Sequence, residues 1–187
     1  SAESNYDMNF VLYEVYYTYN GTDVFFGTDW AGGYGTLKPE SSSGKSANAN
    51  IDKSNFFWVT QLRFKNLGNA MSDIGFEYGV SPGDEFTSGT DDYQGGVIRG
   101  NAAYEVDNLL FKHVIPTLYG SEGSVINSKY IKVDTNMPMG PTSNLNLKLV
   151  MAWAAETDDQ QFNHIDNAAG TIQDISGYWG TVYEAVY

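Results

Sequence analysis

Carboxylates are the side chains most able to do chemistry in this chain of 187 residues, which carries 23 Asp and Glu, two His and no Cys. Glu77, Glu105 and Glu184 are candidates for a glycoside-hydrolase pair, in which one carboxyl donates a proton and the other acts as base or nucleophile. Glu77 and Glu184 also fit the solvent face of amphipathic strands, and that commoner explanation leads us to expect no enzyme. The acidic pairs Asp91-Asp92 and Asp158-Asp159 could hold Ca²⁺ through oxygen ligands. Neither matches a calcium-loop pattern, so no cofactor is required. His113 and His164 are far apart in sequence and read as structural. Without Cys there is no thiol nucleophile, disulfide or thiolate metal site. No phosphate loop, dinucleotide fingerprint or G-x-S-x-G elbow occurs. Trp30 and Trp179, both close to glycines, could stack on sugar rings or cap the ends of a β core.

The elements that must position these residues are strands. Aromatics make up 15% of the chain, with 14 Tyr, beside 20 Gly, and convincing helical periodicity is rare. The length suits one domain with a core of its own. Net charge is −13, which disfavours nucleic acid or anionic lipid held by a broad basic surface. No stretch approaches the ~20 apolar residues of a membrane helix, so no membrane span is expected.

From Tyr6 to Phe26 two aromatic and β-branched runs flank Asn20-Gly21, the strongest short hairpin signal. A type I′ turn there would pair Tyr19 with Thr22, Tyr17 with Val24 and Val15 with Phe26. Only the second half of the incoming strand then finds a partner. Tyr6, Met8, Phe10 and Leu12 are left as an overhang with an apolar side, which calls for another partner. Asn20-Gly21-Thr22 is also an N-glycosylation acceptor pattern at the expected hairpin tip. Gly27 to Gly35 reads as loop, and Glu40 to Ser54 as a polar excursion. Phe56 to Asn66 and Ile74 to Val80 alternate as an antiparallel pair. Asn101 to Val114 suggests a short helix ended by Pro116. Ser128 to Thr135 reads as an exposed strand, and Leu145 to Trp153 as a strand at the centre of a sheet. Thr171 to Ile175 and Thr181 to Tyr187 complete about eight strands. The fold expected is an all-β, jelly-roll-type sandwich with long loops and one short helix, comprising an arm at 1–12 and a domain at 13–187.

Two passages resemble the TasA/camelysin-like secreted matrix-fibre proteins. One is GTLKP (Gly35 to Pro39) followed by FFWVTQLRFKNLGNAMSDIGFEYGV, in which Leu62, Phe64, Asn66 and Gly68 stand at the places of the family's strand motif. The other is LNLKLVMAWAAETDDQQ, from Leu145 to Gln161. The resemblance implies an extracellular jelly-roll subunit that polymerises as a homopolymer, its N-terminal strand completing a neighbour's sheet. The arm would then make the subunit contact through Tyr6, Met8, Phe10 and Leu12. The alternatives are a carbohydrate-binding module or small glycan hydrolase, with a glycan as partner, and a viral or surface-layer coat protein.

Overall fold

The structure, a computed structural model, describes residues 6–39, 51–68, 71–82, 97–98, 106, 111, 125–157 and 177–186. It is all-β. The strands are β1 (Tyr6–Asn20), β2 (Val24–Pro39), β3 (Ile51–Lys65), β4 (Asp73–Ser81), β5 (Val97–Ile98), β6 (Val125–Ile126), β7 (Ser128–Pro138), β8 (Asn144–Ala154) and β9 (Tyr178–Val186). Seven of them form one antiparallel sheet in the order β1-β2-β3-β4-β7-β8-β9, while β5 pairs only with β6. Neighbours follow chain order, so the sheet is an up-and-down meander. Among the described residues no second large sheet faces it.

The first turn differs from the local expectation. The Gly21 N–H donates to the Val24 carbonyl at 2.9 Å, so Thr22-Asp23 makes the turn. Tyr19 pairs with Phe26, Tyr17 with Thr28 and Val15 with Trp30. Positive φ among the described residues is confined to Asn66, Asn127, Gly68 and Gly180, so no type I′ turn forms at Asn20-Gly21. The end of β3 decides the matter. The Lys65 N–H donates to the Asp23 carbonyl at 2.7 Å, Lys65 Nζ to the Gly21 carbonyl at 3.0 Å, and Asn66 Nδ2 to the Thr22 carbonyl at 3.1 Å. Three tertiary hydrogen bonds, each contributing about 1 kcal/mol, outweigh a dipeptide preference. The slip is even-numbered, so every side chain keeps its face.

A larger correction concerns the arm. Gly27 to Gly35 is not loop but the middle of a 16-residue strand. That strand receives the whole of β1, with Tyr6 opposite Pro39 and Leu12 opposite Gly33. Strand exchange through Tyr6, Met8, Phe10 and Leu12 therefore loses its premise, because their main chain is already paired within one chain. Phe10 is half-buried and Leu12 exposed; the side chains of Tyr6 and Met8 lie outside the described residues.

Two further expectations are revised. The central strand is β4, not β8, which lies next to the β9 edge. β7 is not an exposed strand: alternate residues from Ser128 to Asp134 are buried. The helix expected at Asn101 to Val114 falls outside the described residues except for Val106 and Phe111, which are buried. These two and Val125 pack on Val59, Tyr130, Val150, Ala152 and Val182 of the sheet, with Phe57 and Trp179 beside them. The Tyr130 ring lies 5.1 Å from that of Phe111. At this end of the sheet Asn127, in positive φ, ties β8 to β9. Its Nδ2 donates to the Glu156 carbonyl at 2.7 Å, and its own carbonyl accepts from the Trp179 indole at 3.1 Å.

Candidate functional site

The register sorts the sheet into two faces, one almost wholly apolar and one mixed. One face carries Tyr13, Val15, Tyr17 and Tyr19 of β1, Phe26 and Trp30 of β2, and Phe56, Trp58, Leu62 and Phe64 of β3. It continues through Ile74, Phe76, Tyr78 and Val80 to Ile131 and Val133. It ends with Leu145, Leu147, Leu149, Met151 and Trp153 of β8 and Tyr183 of β9. Among its described side chains Lys129 is the one charge. Aromatic rings link strand to strand across it: Trp30 meets Trp58 at 6.1 Å, Trp58 meets Tyr78 at 5.5 Å, and Trp153 meets Tyr178 at 5.9 Å.

The other face carries the core residues Val59, Tyr130, Val150, Ala152 and Val182 toward the long connections, and three polar rows at the end where the connections are short. The first is Lys65-Asp73-Asn136-Asn146, the second Arg63-Gly75-Asp134-Lys148-Glu184, and the third Gln61-Glu77-Lys132. The rows are cross-linked. Arg63 binds Asp73 and Asp134 at once. Lys132 lies 2.8 Å from Glu77, which also accepts from Gln61 at 2.8 Å and from the Tyr130 hydroxyl at 2.7 Å. Asn136 Nδ2 donates to Asp73, and Asn146 Nδ2 to Asn136 Oδ1 at 2.9 Å. Two glycines of β4 make the crossings sterically feasible. A Cβ at Gly75 would sit 2.5 Å from Arg63 Nη2, and one at Gly79 would sit 2.3 Å from the Tyr130 ring. Burial alone would lower the Arg63 pKa, but the hydrogen bond and charge of Asp134, then those of Asp73, raise it above the usual guanidinium range. On β2, burial and then the charge of Glu14 raise the Asp29 carboxyl, whose Oδ1 is buried with no hydrogen-bond partner.

On β4 and β7 the charged side chains are the buried ones. Glu77, Asp134 and Lys132 are 5%, 8% and 9% exposed, whereas Phe76, Tyr78 and Ile131 on the same two strands are 41%, 37% and 39% exposed. At ~4.8 Å between strands and ~3.3 Å per residue, the apolar face covers on the order of 750 Å².

The candidate residues of the sequence are scattered. Glu77 and Glu184 share the polar face but stand three strand spacings apart, about 14 Å, beyond the 5–9.5 Å separation of a hydrolase pair. Each is instead bound to a lysine. Trp30 lies on the apolar face, and Trp179 packs against the core. Asn20 is exposed, and its Oδ1 accepts from Lys65. Glu105, His113, His164, Asp91, Asp92, Asp158 and Asp159 lie outside the described residues. Among the described residues no three His, Asp or Glu side chains gather to hold a metal, and no helix is long and apolar enough to cross a membrane. The partners of Arg63 and Lys132 were not legible as a site, because ion pairs across three strands have no signature in linear spacing. No protein-family model matches the chain, and no curated protein matches it significantly.

Proposed function

We propose that this sheet is part of the wall of a membrane-spanning β-barrel, its almost wholly apolar face against lipid and its other face, with the ion pairs and the packed core, toward the interior. The observation that carries the reading is the inverted burial: alternate residues of β4 and β7 put aromatic and aliphatic side chains outward and charges inward. Lipid-exposed barrels alternate in this sense, and an antiparallel sheet closed into a barrel satisfies every main-chain group without water.

Two dimensions agree. From Leu145 to Trp153 the outward side chains of β8 span about 26 Å at ~3.3 Å per residue. At the usual tilt of about 40° that is roughly 20 Å of height, close to the ~25 Å apolar band of such barrels. The connections are also unequal. Those at one end are 21–23, 66–72 and 139–143; those at the other are 40–50, 82–127 and 155–177. Short turns on one side and long loops on the other are a barrel habit.

The competing outcome is that a second copy covers the apolar face in water, or that copies stack into a filament. Tryptophan quenching separates the cases, since Trp30, Trp58 and Trp153 lie on the apolar face. In vesicles of brominated phospholipid the full chain should lose most of its tryptophan emission relative to unbrominated vesicles. A folded, monodisperse dimer or a thread in detergent-free buffer, with emission unchanged by brominated vesicles, overturns the proposal.

A further inference from the structure

We infer that the polar face carries a binding site for a neutral, polyhydroxylated solute of about one sugar ring, an inference that rests on this face bordering a barrel interior. Over the polar rows lies a cavity of about 290 Å³, walled by Phe25, Gln61, Arg63, Lys132, Asn146 and Lys148 among others. That volume is at the lower end of small-molecule pockets, ~300–1,000 Å³.

The charge balance selects the ligand class. Arg63, Lys132 and Lys148 are set against Asp73, Asp134, Glu77 and Glu184. With Lys65 of the first row, four cations stand against four carboxylates and leave no surplus to attract an anion. A cation would have to displace a lysine or arginine already bound to the carboxylates. Hydroxyl groups can donate and accept in turn without disturbing the pairs.

Donor capacity remains in the wall. Arg63 has five N–H groups, and its two carboxylate partners need not use them all. Lys148 Nζ lies 3.4 Å from both Glu184 oxygens, the outer limit of a hydrogen bond, although its side chain is mostly buried. A closer oxygen would satisfy that ammonium better. Phe25, in register beside Arg63 and half-buried, offers a ring face on which a sugar's C–H groups can stack. The same wall thus presents an apolar plane and a row of donors, the two things a pyranose ring needs.

The test uses the full chain in detergent micelles and saturation-transfer NMR with glucose, glucose 6-phosphate and glucosamine. Glucose should give the strongest transfer, and the phosphorylated and cationic sugars at least fivefold less. Phe25→Ala and Lys148→Met should each weaken glucose transfer at least fivefold, while Met139→Ala in a turn leaves it unchanged. Equal transfer from all three sugars, or none from glucose, overturns the site. Either result from a sample that passes the brominated-lipid test leaves the barrel reading standing, so the two failures are distinguishable.

Discussion

The sharpest perturbation of the lipid-facing reading is a charge at the middle of the apolar face. Val133 lies between Phe76 of β4 and Leu149 of β8. It is four residues from Lys129 and four from Met137 on β7. At ~3.3 Å per residue each is about 13 Å away along the strand, or about 10 Å in depth at a tilt near 40°. On the barrel reading Val133 lies near the bilayer midplane. A lysine at that depth costs about 2–4 kcal/mol, and near an interface about 0–1 kcal/mol. At about 1.4 kcal/mol per tenfold, Val133→Lys should lower the folding equilibrium roughly thirty- to several-hundred-fold. Met139→Lys, in the exposed turn at 139–143, should barely change it. The assay is denaturant unfolding from phospholipid vesicles, followed by tryptophan emission. If this face met water, surface substitutions would stay within about 0.5 kcal/mol and the two variants would behave alike. That equality would refute the placement of Val133 in hydrocarbon.

Two further outcomes test the polar face. Gly79→Ala should destabilise by about 1–3 kcal/mol, the usual cost of overpacking, because its Cβ meets the fully buried Tyr130 ring; a midpoint unchanged in denaturant would remove Tyr130 from that position. Asp29→Asn should stabilise at pH 7. The folded Asp29 pKa is raised, so the folded chain holds this proton more tightly than the unfolded one. Stability is then complete below the unfolded value of about 3.9 and is lost as pH rises through the folded value. The variant's advantage should vanish below about pH 3.9, and a variant less stable than the parent at pH 7 would show that Asp29 has a partner.

Much of the strand content was legible, because period-2 alternation reports directly on a pleated surface. β4 and β8 lie within a residue or two of their sequence positions. Faces were legible too, since side-chain parity survives an even slip such as the one at Thr22-Asp23. What was not legible is which face meets water. Alternation is symmetric in that respect: Phe76 outward with Glu77 inward reads the same as the reverse. The decision needs the neighbours of Glu77, namely Lys132 and Tyr130, which are more than 50 residues away. The middle of β2 was missed because Gly27, Gly32, Gly33 and Gly35 read as loop. Expecting no membrane span addressed only helices, which need long apolar runs. Strands need only alternation.

The edges carry the reading one step further. Every pairing in the sheet is antiparallel, and seven strands separate the outer edges of β1 and β9, so these two run in the same direction. They cannot close a barrel by pairing antiparallel with each other. Closure in that mode takes an odd number of strands beyond the seven described. A second copy turned about an axis normal to the sheet would join β1 to β1 and β9 to β9 antiparallel, but it would set long connections on both sides of the membrane. A copy turned about an axis along the strands keeps the long connections together and joins β9 to β1 in parallel, a slightly weaker ladder. In hydrocarbon an unpaired edge costs several kcal/mol for each orphaned main-chain group. On the barrel reading partner strands cover both β1 and β9, whose outward side chains Val15, Tyr17 and Tyr183 are exposed.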